Sequence, residues 1–286
     1  MTIEDAIRRA KILGQARLQK HEAESAAHPP PPERSATAPR TREPGVRFEP
    51  LKKVEISATA CEQNRVLLSD SQLREFPAAD AAYRMLRSRL ANRVKRNNWF
   101  SLAIASPSQA DGKSITAANL AVSVAREKQK PVYLLDLDMR NPSICRFFGI
   151  RDIRPLPEYF AGHAKPEDVL FETTFPNLYV AGAMAPTDSA SELLAGPRFS
   201  ELLSHIRLRA PDAAVIVDLP PVNVTDEALL VGSRVDAFLI VVTEGKTERV
   251  QLAQTLGALS EFTVAGVVVN QSSESHTVGY EHYSAA

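Results

Sequence analysis

A glycine, a lysine and a serine in the stretch SPSQADGKSITAANLA, residues 106–121, have the order of a phosphate-binding loop. Gly112, Lys113 and Ser114 match the end of the pattern G-x-x-x-x-G-K-[ST], whereas Pro107 stands where its first glycine belongs. In such a loop, backbone N–H groups at a helix N-terminus bind the anion. Lys113 would then neutralise the phosphates from an exposed loop, and the Ser114 hydroxyl would hold Mg²⁺. The alternative is a surface loop in which Ser114 caps a helix.

Three aspartates complete the pattern of a nucleotide site. Asp136 and Asp138 follow an apolar run in VYLLDLDMRNPS, and Asp218 ends another apolar run in AAVIVDLPP. Because side chains alternate along an extended chain, Asp136 and Asp138 point to the same side. A carboxylate at the end of a buried strand is costly unless it is paired or binds a metal, directly or through water. We therefore predict a nucleotide and metal site, although a turn or a cap would explain each acid singly.

Strands alternating with helices are expected to position these groups. The apolar runs predict strands at 100–105, 132–137, 178–181, 214–219, 237–243 and 264–270, and helices near 79–96, 115–128, 190–207, 225–233 and 246–260. This alternation predicts an α/β domain of the P-loop NTPase type, with a mostly parallel β-sheet flanked by helices. Ligands of such sheets bind at the carboxyl ends of the strands. Asn270, at the last strand end, is expected either to contact adenine or to make a turn.

The chain divides into four predicted segments. Residues 1–25 have an apolar stripe that predicts an N-terminal helix for docking, oligomerisation or a membrane surface. Residues 26–76 begin with a stretch rich in proline, alanine and serine and are predicted to be a flexible linker. Residues 77–270 form the predicted nucleotide-binding domain, and residues 271–286 a mobile polar tail.

Composition excludes several classes of protein. The formal net charge of zero over 286 residues gives no electrostatic basis for nucleic acid as a main partner. Cys61 and Cys145 lie far apart and form no metal-binding or redox pattern, which is typical of a reducing compartment. No apolar run approaches the roughly 18 residues of a membrane span, and the N-terminus lacks the apolar core of a signal peptide. A cytoplasmic protein is expected.

The motifs together resemble the bacterial tyrosine kinases of capsule and exopolysaccharide production, which carry Walker A, A′ and B motifs. The glycine-lysine-serine loop, the segment LLDLDMR and the segment VIVDLPP match those motifs in order. The helix AAYRMLRSRL resembles the oligomerisation segment E-x-x-R-x-x-R of that family, with Arg84 and Arg87 in place as interface residues. The resemblance covers about residues 78–283.

This resemblance implies an ATP-dependent protein-tyrosine autokinase that regulates polysaccharide polymerisation and export, with ATP and Mg²⁺ as cofactors. Asp136 would accept the tyrosine proton, with Asp138 as second candidate, and Tyr280 and Tyr283 would be phosphorylated between protomers. The implied nucleotide-binding residues are Asp111, Gly112, Lys113, Ser114, Ile115, Arg140 and Asn270. The implied catalytic residues are Lys113, Asp136 and Asp138, and the implied metal ligands are Ser114, Asp138 and Asp218.

The resemblance also implies partners. A separate transmembrane polysaccharide co-polymerase would activate the kinase and recruit it to the inner face of the cell membrane, and the kinase would form a homo-oligomer. Ala81 replaces the glutamate of the oligomerisation segment. Ala110 stands in the loop, and a positive φ there would cost on the order of 1 kcal/mol relative to glycine. Two alternatives remain: a nucleotide-binding regulator with little kinase activity, and a Min/Par-type ATPase. Proteins of the second type carry a signature lysine where this chain has Ser108, which counts against that alternative.

Overall fold

A computed structural model of the protein describes residues 48–127 and 130–272. The predicted N-terminal helix, the linker up to residue 47, and the tail from residue 273 lie outside the described residues, and so do Tyr280 and Tyr283. From Leu51 onward the described chain forms a mostly parallel sheet covered by helices. The predicted fold class, an α/β fold of the P-loop NTPase type, is confirmed.

One eight-stranded sheet contains all the described strands, in the order β1-β4-β5-β3-β6-β2-β7-β8. Neighbouring strands run parallel except β4 and β5, which run antiparallel. The six predicted strands are confirmed, whereas β1 and β4 were not predicted because each has only three residues. The strands are β1 Lys52–Val54, β2 Ser101–Ala105, β3 Val132–Asp136, β4 Phe171–Thr173, β5 Leu178–Ala181, β6 Ala214–Asp218, β7 Ala237–Thr243 and β8 Val264–Asn270.

Helices cover both faces of this sheet. The predicted helix 190–207 is divided by Gly196 and Pro197, since neither residue favours a helix interior. The other four predicted helices are present with shifted ends. The described helices are α1 Ala58–Gln63, α2 Asp70–Glu75, α3 Pro77–Asn97, α4 Lys113–Ala125, α5 Ile144–Phe148, α6 Leu156–Phe160, α7 Pro166–Val169, α8 Ala190–Ala195, α9 Arg198–Arg209, α10 Glu227–Gly232 and α11 Arg249–Ala258.

The prediction of a flexible linker is wrong for residues 51–76, which form β1, α1 and α2. These residues are ordered because they bury apolar side chains, among them Cys61 and Val66, at 0% exposure. Gln72 closes a capping box at the start of α2 and also donates from Nε2 to the Val66 carbonyl at 2.8 Å. Polar neighbours in the sequence concealed this burial, so the ordered domain begins at Leu51 rather than residue 77.

The core lies on the two faces of the sheet, and β2 shows how one strand serves both. Ala103 and Ala105 pack into the cluster that contains Tyr133 and Phe199, whereas Leu102 and its neighbour Ile104 pack into the opposite cluster. All five residues of β2 are buried. A central parallel strand therefore reads as a continuous apolar run, and its carboxyl end delivers the following loop to one edge of the sheet.

Candidate nucleotide and metal site

The three predicted motifs meet at the carboxyl ends of three neighbouring strands. The loop 106–112 follows β2, Asp138 follows β3, and Asp218 ends β6, which lies between β3 and β2 in the sheet. Asp136 and Asp218 are paired residues in the parallel register of β3 and β6. Strand order, rather than closeness in sequence, brings these groups together.

Lys113 lies at the centre of the site. Its Nζ is 2.5 Å from Asp138 Oδ2, 3.0 Å from Ser114 Oγ and 3.8 Å from Asp218 Oδ1. Burial by itself would lower the pKa of Lys113, but the charges of Asp218 and Asp138 outweigh burial and raise it. The expectation of an exposed lysine was wrong, since the residue is only 8% exposed. Lys113 is therefore a buried cation whose charge is held by carboxylates.

Asp218 is a buried carboxylate that lacks a hydrogen-bond partner. It is 0% exposed, and among the described residues neither side-chain oxygen accepts a hydrogen bond. Burial raises the pKa of Asp218 to about 6, although the positive charge of Lys113 opposes the rise. A buried carboxylate whose oxygens accept no hydrogen bond is costly even with Lys113 3.8 Å away, and a hydrated cation would satisfy its oxygens. The site therefore fits a divalent metal ion.

The chemistry of the donors fits a divalent cation held partly by water. Within residues 48–127 and 130–272, no group of three or more histidines, cysteines, aspartates or glutamates could hold a metal ion unaided. Mg²⁺ usually keeps several waters and is bound through one or two carboxylates and the phosphates of a substrate. Ser114, Asp138 and Asp218 supply a hydroxyl and two carboxylates of this kind beside the loop.

Asp136 organises the turn after β3. Its Oδ2 accepts hydrogen bonds from the backbone N–H groups of Ser143 and Ile144, both at 2.9 Å, and its Oδ1 accepts from the N–H of Asp138 at 3.2 Å. Burial and the nearby charge of Asp218 raise the pKa of Asp136 to about 7. Both oxygens are thus occupied by backbone groups, and the residue is 0% exposed.

Asp111 holds the phosphate-binding loop from inside. Its Oδ2 accepts from the N–H of Ser108 at 2.9 Å, and its Oδ1 accepts from the hydroxyl of Thr247 at 3.1 Å. Ala110, the residue before it, has a φ of 61°, the left-handed conformation that costs free energy for any residue with a Cβ. The part of the loop before Gly112, which departs from the usual phosphate-binding pattern, thus contains a strained alanine and a buried aspartate.

Asn270 fastens the same loop from the end of β8. Its Nδ2 donates to the Asp111 carbonyl at 3.1 Å. A Cβ added to Gly112 would lie 1.9 Å from that nitrogen, and Gly112 has a φ of 90°. Glycine is therefore required at this position for two reasons, conformation and close approach. Adenine contact by Asn270 stays a prediction, as does the nucleotide contact of the half-buried Ile115 at the start of α4.

Arg140, two residues after Asp138, is held by residues that the sequence did not reveal. Its Nε donates to Glu227 Oε1 at 2.7 Å, and its Nη2 donates to Ser191 Oγ at 3.4 Å. Glu227 is 0% exposed. The sequence signal for a buried, paired acid here was a glutamate at the start of the otherwise apolar stretch EALLV. Beside Arg140 lies an open groove of about 620 Å³, lined by Val222, Asn223, Val224, Thr225, Asp226 and Leu229.

The two predicted interface arginines lie on α3, away from the groups that surround Lys113. Arg87 is engaged within its own chain, where it donates to the Ser123 carbonyl at 2.8 Å and pairs with Glu127 at 2.8 Å. Arg84 is 61% exposed at its side chain and pairs with Asp80 one turn earlier at 3.2 Å. Their role between protomers stays a prediction.

Comparisons with known proteins agree with this geometry. A ParA family model, described as NUBPL iron-transfer P-loop NTPase, matches residues 100–282. The tyrosine-protein kinase CpsD of Streptococcus agalactiae serotype Ia is 29% identical over 216 residues, which cover 74% of this chain and 90% of that protein. The tyrosine-protein kinase YwqD of Bacillus subtilis is 29% identical over 203 residues, which cover 70% of this chain and 84% of that protein.

Solved structures show the same architecture. The VpsO kinase domain is 26% identical, has a TM-score of 0.61, and covers 70% of this chain and 97% of its own. The kinase domain of the Escherichia coli tyrosine kinase ETK has a TM-score of 0.65, covering 80% of this chain and 94% of its own; at 24% identity it shows the fold alone. None of the described helices is both long enough and apolar enough to cross a bilayer.

Proposed function

The chain belongs to the ParA-like P-loop NTPase family, and we propose that within this family it is an ATP-dependent protein-tyrosine autokinase of an exopolysaccharide or capsule system. The resemblance to bacterial tyrosine kinases is confirmed by relatives that match 70% or more of this chain. The observation that carries the proposal is Lys113 held between Asp138 and Asp218 at a phosphate-binding loop.

Phosphoryl transfer needs mainly positioning and neutralisation of charge. Lys113 and the backbone amides of the loop would hold the phosphates of ATP, and phosphate would replace Asp138 as the closest anion to Lys113. Ser114, Asp138 and Asp218 would hold Mg²⁺, some of them through water. The metal would supply charge neutralisation on the transferred phosphoryl group.

Asp138 is a better candidate than Asp136 to accept the proton of the tyrosine hydroxyl. A base must come within hydrogen-bond reach of the proton that it removes. The oxygens of Asp136 accept three backbone N–H groups, so they are already committed to the turn. Among the described residues, the one hydrogen bond to Asp138 Oδ2 comes from Lys113, a side chain that nucleotide would draw away. This order reverses the one that the resemblance implied.

Tyr280 and Tyr283 are the proposed acceptors because Tyr133, Tyr159 and Tyr179 are poorly placed. Tyr133 stacks on Tyr179 with ring centroids 4.7 Å apart, and the Tyr159 hydroxyl donates to a backbone carbonyl at 3.0 Å. Burial raises the pKa of Tyr133 and of Tyr159 to about 12. The ten residues from 270 to 280 span at most about 33–36 Å when extended, enough to reach a neighbouring protomer.

A transmembrane polysaccharide co-polymerase is the proposed activator, and it would bring the kinase to the inner face of the cell membrane. The resemblance to split kinases, in which the membrane segment belongs to a separate protein, supports this partner. Homo-oligomer formation through α3 is proposed on the same basis.

The test is phosphotyrosine formation by the purified protein with Mg-ATP. Wild-type protein should acquire phosphotyrosine in the tail, as read by peptide mass mapping, and Lys113→Met should acquire none. Lys95→Met, which changes an exposed lysine of α3, is the matched control and should behave like wild type. Wild-type protein that binds ATP without acquiring phosphate would instead identify a nucleotide-binding regulator.

Transfer between protomers requires a separate mixture. An inactive Lys113→Met protomer with an intact tail is combined with an active protomer lacking residues 273–286. Phosphate should appear on the inactive protomer, because only its tail carries the acceptors. If the inactive protomer acquires no phosphate while wild-type protein does so under the same conditions, transfer occurs within one chain.

A further inference from the structure

The last strand, β8, forms one edge of the sheet and has no charged residue. It pairs in parallel with β7, and no other described strand pairs with it. Its sequence, VAGVVVN, contains neither proline nor charge, and Val269 is 51% exposed. An edge strand presents a row of backbone N–H and C=O groups that can pair with another extended chain. Proteins usually protect such edges with charge, proline or a covering element.

Three arginines of α3 share one side of the helix, and one of them, Arg93, lies near this edge. Arg89, Arg93 and Arg96 are exposed and, at about 100° per residue, lie within about 60° of one another around the helix. They form no ion pair within the described part of the chain, unlike Arg84 and Arg87 on the same helix. We name this set the arginine row.

Two contacts fix the direction in which the arginine row points. Arg87, which lies about 120–180° around the helix from the row, bonds to Ser123 of α4, a helix packed over the central strands. The row therefore faces away from the sheet centre. A Cβ built on Gly266 of β8 would lie 3.8 Å from the Arg93 guanidinium, so Arg93, the middle residue of the row in sequence, lies over the edge strand.

We propose that β8 and the arginine row together form a docking edge for an extended acidic segment of a partner protein. The segment would add to the sheet beside β8, and its acidic side chains would pair with the arginines. Backbone hydrogen bonds would supply affinity, and the charges would select the partner. A second copy of this chain does not fit, because two such edges brought together would oppose six arginines and repel.

The test uses a synthetic labelled peptide of alternating valine and glutamate, with binding to the full-length protein read by fluorescence anisotropy. The peptide should bind with an affinity that falls as salt rises, because the charges at the edge are exposed. Two comparison peptides separate the contributions: one has lysine for glutamate, and one has alternate backbone nitrogens methylated so that it cannot pair as a strand. Both should bind at least about tenfold more weakly.

Charge reversal on the protein provides the matched comparison. Arg93→Glu should weaken binding by about tenfold, whereas Lys95→Glu, about 160° away on the same helix, should change it less than about twofold. Equal effects of the two variants, or full binding of the methylated peptide, would overturn the proposal. A dimer that Arg93→Glu strengthens would also overturn it, since a second copy of the chain would then be the occupant. Retention of the protein on anionic vesicles, together with no binding of the acidic peptide, would overturn it as well.

Discussion

At the scale of single residues, the carboxylates beside Lys113 make the stability of the free protein depend on pH. Burial raises the pKa of Asp218 to about 6 and that of Asp136 to about 7, above their ordinary value of 3.8. Between about pH 4 and 7 the folded protein therefore binds more protons than the unfolded chain. Stability from these groups is present below about pH 4 and is lost as the pH rises through about 7.

Asp218→Asn should remove much of this dependence in protein free of metal and nucleotide. We expect the variant to be more stable than wild type by about 1–2 kcal/mol near pH 8, because an amide carries no buried charge. Near pH 5, where wild-type Asp218 is largely protonated, the difference should be small. Urea unfolding in chelator at the two pH values measures this, and equal differences at both would contradict it. The same variant should lose the Mg²⁺ dependence of ATP binding, as measured by calorimetry.

The loop strain at Ala110 gives a second prediction at this scale. Ala110→Gly should stabilise the protein by about 0.5–1 kcal/mol, because glycine adopts the φ of 61° without a steric penalty. Gly112→Ala should instead destabilise the loop, since its Cβ would meet the Asn270 amide. Thermal unfolding and ATP affinity of both variants give the comparison. A loss of stability in Ala110→Gly would show that the alanine is not strained.

At the scale of elements, Arg87 joins α3 to the C-terminal turn of α4. Its side chain is 16% exposed, donates hydrogen bonds to both the carbonyl and the hydroxyl of Ser123, and forms an ion pair with Glu127. Removing a buried charged donor leaves its partners unsatisfied. This contact helps to hold α3, in which Leu90 is the single buried residue, beside the nucleotide-binding helix.

Arg87→Ala should therefore lower the free energy of unfolding by about 1–3 kcal/mol. Arg84→Ala is the matched control, since Arg84 is 61% exposed and its pair with Asp80 is a surface contact. We expect that control to change stability by less than about 0.5 kcal/mol. Urea unfolding of both variants measures the difference, and equal losses would mean that the Arg87 contacts contribute no more than a surface pair.

At the scale of the whole molecule, self-association is the property that Ala81 is most expected to affect, because the oligomerisation segment of the related kinases has glutamate at this position. Ala81→Glu restores the E-x-x-R-x-x-R spacing on an exposed stretch of α3 and should raise the mass measured by light scattering. Ala82→Glu adds the same charge at another exposed position, about 100° around the helix, and should not. An unchanged mass for Ala81→Glu would show that the glutamate is not what limits assembly.

The sequence by itself determined the fold class, six strands and the loop with its three aspartates. These are local signals: apolar runs mark strands buried on both faces, and acids at strand ends mark the ligand-binding edge of a parallel sheet. Because strand ends in such a sheet share one edge, the candidate site followed from the pattern even before the strand order was known. The cost of a positive φ at Ala110 also followed from the sequence, but only the structure shows that the residue adopts one.

Only the tertiary structure decided which groups touch. Asn270 holds the loop through Asp111, and Glu227 holds Arg140, across separations in the chain that no local pattern reports. The burial of Lys113 and the ordered structure of residues 51–76 depend on the segments that pack against them, and polar neighbours in the sequence concealed both. A contact between distant segments is set by the packing of the sheet and helices as a whole, so its partners are visible only when the chain is folded.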